Sequence, residues 1–460
     1  MTENGTKLVR TLGLTSVVFF GLSFMSPFGI FSLYGFTGPM SGSHLASAYI
    51  VATIAIFLTA LSYGKMVAIY PTSGSSYAYT QKTIHPMAGF IVGWLMLLDY
   101  FFLPMLCVLL AANYVKAVIP AFPTVPLVVI ITALITLPNV LGIKFMSKLN
   151  HFLLYFQLLI VLMFILICVG VTTSRDGMTG LFAAQPFFSP SVSVPAIAAS
   201  AALICNTFLG FDAVTTVAEE TVDARHTIPR ALILIALAAG GLFTLIAYVG
   251  YVAHPSYDFK LPESASFELA AIVGGSLFGA IFLAGCIVSS AASAIICQAS
   301  ASRILFAMGR DQVFPRKFFG YVDPRFRGPL FSTLVVAASC ILAAFIDIAS
   351  IASFVNFGAF TAFAAVNICV IIHYLIIEKR RGPRAWFSYG LLPLAGAMVI
   401  VALWTQLDAL AIKIGLAWLS AGLLYAAYLT RAFSRPVPTL SLDDDTDVAS
   451  YGEAQVPERA

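Results

Sequence analysis

Charged side chains are scarce in this chain: Asp, Glu, Lys and Arg make up 10% of its 460 residues, against 60% hydrophobic residues. A soluble domain carries roughly a quarter of its residues as charges, so a water-facing globular protein is excluded. Cysteine offers no chemistry either. All seven (Cys107, Cys168, Cys205, Cys286, Cys297, Cys340 and Cys369) fall inside apolar stretches, without the close pairs a zinc site or a disulfide framework requires. They read as packing residues, and no metal or cofactor is expected. No HExxH or GxSxG motif occurs, and the six histidines are scattered mostly near the ends of apolar runs, which argues against a membrane-embedded enzyme. Rings of charge that would line a channel are missing too. The net charge of +4 matters less than its distribution, and no nucleic-acid partner is expected.

What is present is apolar length. Runs of about 20 residues, the length a hydrocarbon core demands, recur from the first quarter of the chain to the last. Hydropathy and loop punctuation predict twelve spans, at roughly 12–37, 46–69, 87–116, 124–143, 149–172, 194–217, 228–253, 268–302, 329–346, 350–377, 386–405 and 410–431. No cleavable signal peptide is expected. Lys7 and Arg10 precede a first span that carries Pro27 and lacks a small-residue cleavage site. With both termini inside, the predicted cytoplasmic segments collect most of the Lys and Arg, including Lys65, Lys82, Arg303, Arg310 and the run Lys379 to Arg384. The outer side keeps only Lys116, Arg175, Lys260 and Lys413. That positive-inside bias predicts a multi-pass protein of the cytoplasmic (plasma) membrane with both termini cytoplasmic. Residues 1–11 form the N-terminal segment and 12–435 the membrane unit. The tail 436–460, with Asp443, Asp444, Asp445 and Asp447, is expected to be acidic and disordered.

Two spans are interrupted. Pro27 removes a backbone donor and Gly29 loosens the chain beside it, so the first span should break around Ser26 to Gly29. Taken alone, this could equally be a proline kink between packed helices. The sixth span, FLGFDAVTTVAEE from Phe208 to Glu220, should break at Leu209 to Asp212. An acid near the bilayer centre costs about 2.5 to 3.5 kcal/mol on insertion scales, so Asp212 beside Gly210 points to a polar site within the membrane. If spans one to five and six to ten are two halves, the breaks correspond, and paired breaks are the best sequence pointer to a transporter site at the midplane.

Four motifs carry a resemblance to a known family: SYGKMVAIYPTSGSSYAYTQK (Ser62 to Lys82), NVLGIK (Asn139 to Lys144), FLGFDAVTTVAEE with TIPRA (Thr227 to Ala231), and SRILFAMGRD (Ser302 to Asp311). Each is weak alone. In this order, from about Leu12 to Arg431, they resemble the amino acid, polyamine and organocation (APC) transporter superfamily. LLDYFFLP (Leu97 to Pro104) with FLGFDAVTT is most similar to its putrescine-importing branch.

The resemblance implies an all-α integral membrane fold of twelve helices in a five-plus-five inverted repeat (LeuT-like), with helices 1 and 6 broken. The repeats would cover about 12–172 and 194–377, with two further spans at about 386–431. It implies alternating-access transport of a small amine or amino acid, usually proton-driven, with no obligate protein partner beyond the lipid bilayer. Carried over residue by residue, Ser26, Phe28, Gly29 and Ile30 match the first unwound stretch, and Phe208, Gly210, Phe211 and Asp212 the second. Asp99, midway along span three beside Tyr100, is the other intramembrane acid. Together, Asp99 and Asp212 would offer two anionic points to a diamine, with ring faces from Tyr100, Phe28 or Phe211 adding cation–π attraction. Either acid could instead cap a freed backbone NH or pair with a hydroxyl.

For the coupling ion, some relatives place a lysine where Gln157 stands here, and an amide does not titrate. Ser289 and Ser290 match hydroxyl ligands of sodium-coupled relatives, although the small-residue run to Ser293 also suits helix packing. Protonation of Asp99 or Asp212 is therefore the expected coupling event, ahead of sodium. In putrescine importers an acid is expected just beyond the first break; Ser32 occupies that place, which keeps a neutral or cationic amino acid open as substrate. Glu219 and Glu220 are expected to anchor the cytoplasmic side by pairing with Arg225 or Arg230.

Overall fold

The chain is seen in a computed structural model that describes residues 10–119, 121–141, 143–188, 193–259, 265–323, 328–346, 348–405, 407 and 409–431. The tail expected over 436–460 and the first nine residues lie outside the described residues. The helices follow in order as α1 (Leu14–Met25), α2 (Gly29–Met40), α3 (Leu45–Ile69), α4 (Ser75–Thr83), α5 (Pro86–Val118), α6 (Thr124–Val140), α7 (Ile143–Asp176) and α8 (Val194–Ile204). After the interruption of the sixth span come α9 (Ala224–Ala253), α10 (Ala265–Arg310), α11 (Arg316–Phe319), α12 (Leu330–Ile341), α13 (Ile348–Ile371), α14 (Pro383–Ala385), α15 (Leu392–Trp404) and α16 (Ala409–Leu429). Among the described residues the only β pairing is a single bridge between Leu12 and Thr221.

In hydrocarbon every backbone amide must find a partner within the chain, and helices satisfy that demand locally. Among the described residues, nine helical stretches are long and apolar enough to cross a membrane; α1 and α2, bent by 44° across a short break, make a tenth if taken as one span. Two shorter apolar helical stretches, Thr124–Val140 and Leu330–Phe345, fall below that length. Helix starts follow local chemistry: at α5 the His85 ring accepts from the Met87 amide, with Pro86 in the first helical position, where a missing NH costs nothing.

Helix α3 packs along α9, and α5 lies between α10 and α13. Glycines set the closest approaches. A Cβ at Gly358 of α13 would fall 2.5 Å from the Leu95 carbonyl of α5 and 3.0 Å from the Asp99 amide. Segments α1 and Phe211–Glu220 run through the middle of this frame and touch each other, α9 and α10.

Candidate functional site

At the first interruption Ser26 adopts φ 60° and ψ 128°, ending α1, and α2 restarts at Gly29. The local turn is closed by the Gly29 amide donating to the Ser26 carbonyl (2.9 Å) and the Phe28 amide donating to the Ser26 hydroxyl (3.1 Å). That hydroxyl also meets Ser289 Oγ of α10 and donates to Gln157 Oε1 of α7 at 3.3 Å. Ser26, Gln157 and Ser289, chosen for separate reasons, thus form one buried polar knot. Gln157 Nε2 has no partner among the described residues. Ser290, half-buried, is not part of it. A turn further along, Ser293 donates to the Ser23 carbonyl (2.9 Å), tying α10 to α1 again.

The sixth span changes character rather than simply kinking. Helix α8 passes into a 3₁₀ turn, Cys205–Phe208, then breaks at Leu209 and Gly210 and resumes as the 3₁₀ segment Phe211–Glu220, itself kinked at Val217. Gly210 has φ 97°, and a Cβ there would lie 1.7 Å from the Phe24 ring, so both conformation and space require glycine. Phe24 belongs to α1, so the two interruptions meet directly.

The phenylalanines flanking the breaks are bedded in other rings. Phe28 packs on Phe31 and Phe282, Phe208 on Tyr49 and Phe243, and Phe211 on Tyr63 and Phe363, with centroids 5.1 to 6.4 Å apart. Ile30 is fully buried, and half-buried Gly29 faces Thr207 and Phe243.

Asp99 and Asp212 are 3% and 1% exposed and close enough for electrostatic interaction. Asp212 Oδ2 accepts from the hydroxyls of Tyr100 (3.2 Å) and Tyr63 (3.2 Å). Oδ1 of each aspartate has no hydrogen-bond partner, and neither carboxyl has an ion pair, among the described residues. Tyr63 escaped the sequence reading. It lies in α3 within a motif quoted only for its resemblance, and nothing local marks its hydroxyl as a partner of a residue 149 positions away. Tyr63 also shares a hydrogen bond with Ser76 Oγ (2.7 Å), linking the aspartate to the first turn of α4. The start of α4 and the turn before it hold the 3₁₀ segment further along as well: Thr215 donates to Ser75 Oγ (2.7 Å), and the Ser73 amide and hydroxyl both donate to Glu219 Oε1 (3.0 Å).

At the end of this segment the acids are fully paired, but not as expected. Glu219 accepts from Arg310 through both guanidinium nitrogens (3.1 Å), and Glu220 from Arg303 at 2.9 and 3.1 Å. The expectation of Arg225 or Arg230 is therefore corrected: α9 follows the acids in sequence, whereas the end of α10 is packed beside them in space. Glu220 and Arg303 are 3% and 6% exposed at their side chains. The Glu220 carbonyl accepts from the Thr11 and Leu12 amides, pinning the chain before α1 to the same end. Among the described residues no three His, Cys, Asp or Glu side chains gather as a metal ion would need.

The amino acid permease family matches residues 12–428 of the chain. The low-affinity putrescine importer PlaP of Escherichia coli is 37% identical over 434 residues, covering 94% of this chain and 96% of that protein. The branched-chain amino acid permease BcaP of Bacillus subtilis is 26% identical over 461 residues, with the same coverage of 94% and 96%. The vacuolar cationic amino acid transporter 4 of Arabidopsis thaliana is 26% identical over 389 residues, covering 80% of this chain and 63% of that protein.

Proposed function

This chain belongs to the amino acid permease family and is a multi-pass membrane transporter rather than an enzyme, and on that premise we propose that it imports putrescine or a closely related small amine. The observation that carries the reading is the pair of buried carboxyls, Asp99 and Asp212, that have no cationic partner among the described residues. A buried anion needs a counter-charge or a proton. A diammonium ligand supplies two charges at once. Asp99 and Asp212 would hold its ammonium groups, Tyr63 and Tyr100 would orient Asp212, and the backbones of Ser26 to Ile30 and Phe208 to Phe211 would shape the remainder. The relative named as a putrescine importer supports the same substrate class.

The proposed cycle is alternating access by two inverted repeats, 12–172 and 194–377, in a twelve-span protein of the cytoplasmic membrane with both termini inside. Counting the bent pair as one span and adding the two shorter apolar helical stretches to the nine long ones gives twelve (9 + 1 + 2). The paired acids and arginines at Glu219 and Glu220 then close the cytoplasmic side. Proton exchange at Asp99 or Asp212 is the proposed coupling step, with Gln157 standing as a neutral amide in the Ser26–Ser289 knot.

The second reading is an amino acid permease. It is favoured by Ser32, which bonds back to the Gly29 carbonyl (2.7 Å) in place of an acid. Uptake of labelled putrescine and leucine into proteoliposomes separates the two, at two pH values with and without sodium and with unlabelled amines as competitors. Sodium-independent putrescine uptake driven by an inward proton gradient is expected. Leucine uptake unaffected by excess putrescine, with no putrescine uptake, would replace the first reading with the second.

A further inference from the structure

The turn after α13 carries a second concentration of charge that the transport site does not use. Glu378, Lys379, Arg380, Arg381 and Arg384 give it a net charge of +3 (four cations, one anion), and all five residues are exposed. Arg380 is built into the turn. Its guanidinium binds Glu378 (2.5 Å) and lies over the rings of Tyr374 and Tyr389, which stack at 4.0 Å. Glu378 is also engaged by His373 (3.1 Å), so the one local anion is consumed within the fold. Lys379, Arg381 and Arg384 have no ion pair among the described residues.

Lys379 and Arg381 stand between two candidate spans, Phe354–Ile377 and Pro383–Trp404, and Arg384 is the second residue of the latter. Large apolar side chains flank them in the open: Ile376, Ile377 and Phe387 are exposed, and Trp386 is 55% exposed. Unpaired cations beside exposed tryptophan and phenylalanine at a span end match the chemistry of a lipid headgroup region, with the rings at the interface and the cations toward phosphate. We propose that this turn is a docking site for anionic phospholipid, with Lys379, Arg381 and Arg384 binding the headgroup and Trp386 and Phe387 seated at the acyl boundary. The site is mechanically joined to the transport machinery. Lys65 of α3 bonds to the Ser388 carbonyl and sits 5.1 Å from the Tyr389 ring centroid, and Tyr63 two residues earlier holds Asp212.

Trp386 reports on its own surroundings. The full chain in liposomes is compared with Trp386→Phe, using a minor fraction of bromine-labelled phosphatidylglycerol or bromine-labelled phosphatidylcholine as quencher. The difference between the two proteins isolates the Trp386 signal. Phosphatidylglycerol is expected to quench it several-fold more than phosphatidylcholine at equal fraction. The preference should vanish in the triple variant Lys379→Gln, Arg381→Gln, Arg384→Gln and shrink in high salt for the wild type. Equal quenching by the two lipids in the wild type, or a preference that survives the triple variant, would overturn the proposal. Neither readout depends on what the protein transports.

Discussion

Asp212 and the pair Glu219–Glu220 lie on one short 3₁₀ segment, yet the protein treats them in opposite ways. At its start, Asp212 is held by two phenols and lies within electrostatic range of Asp99, with an oxygen of each carboxyl unpartnered among the described residues. At its end, each glutamate is matched to an arginine of α10. On the proposed reading, the difference separates a substrate site that takes its cation from outside from a latch that brings its own.

The comparison breaks most severely if the latch is unbalanced. Arg303→Met strands Glu220 in a buried position and should cost about 3 to 5 kcal/mol, read as a large drop in the unfolding temperature of the purified protein in detergent. The double variant Glu220→Met, Arg303→Met should recover most of that loss, because a dry apolar pair replaces a dry ion pair.

Next in size is the break immediately before this 3₁₀ segment. Gly210→Ala forces a side chain into φ 97° and against Phe24, a strain of about 2 to 4 kcal/mol. Uptake should be lost even in material that still elutes as a single species; wild-type uptake would show that the Phe24–Gly210 contact is dispensable.

Asp311 sharpens the contrast from inside the latch. It follows Arg310 but is bonded by the Tyr77 phenol (2.7 Å) rather than a guanidinium, and its Oδ1 is unpartnered. Burial raises its carboxyl to about 6 from the ordinary 3.8, against the lowering effects of Tyr77, Arg310 and Lys82. A carboxyl raised on folding contributes stability that is complete below about pH 4 and lost as pH rises through about 6, on the order of 3 kcal/mol. Asp311→Asn should remove that slope from stability measured between pH 4 and 7; an unchanged slope would place the titration elsewhere.

The smallest expected effect is that of Tyr63→Phe, which removes one hydrogen bond to Asp212 and the link to Ser76. A loss of about 1 kcal/mol, or roughly fivefold in substrate affinity, is expected with little change in unfolding temperature. An unchanged affinity would reduce Tyr63 to a packing residue.

The frame of this molecule was legible because its signals are local. Apolar runs located the long helices, although α7 begins six residues before and α10 runs eight residues beyond the expected bounds; Pro27 marked one interruption, and Gly210 beside Asp212 marked the other. The 3₁₀ character of Phe211–Glu220 was not legible, since it follows from how the segment packs against α1, α9 and α10. Site composition divided along the same line. Asp99 and Asp212 stood out as acids in apolar sequence, whereas Tyr63 looked like one more of 18 tyrosines until the fold brought it to Asp212. The arginine partners of Glu219 and Glu220 were misassigned because nearness in sequence favoured α9 and nearness in space favours α10. Gln157 and Ser289 were singled out by resemblance alone; only the fold joined them to Ser26.

Equilibrium binding of labelled putrescine to purified wild type, Asp99→Asn, Asp212→Asn and Glu219→Gln tests the central contrast most directly. Binding should fall at least about tenfold in both aspartate variants, each losing a charge-assisted contact, and stay near wild type in Glu219→Gln, whose carboxylate serves the latch. Wild-type affinity in both Asp99→Asn and Asp212→Asn would contradict the two-carboxyl site.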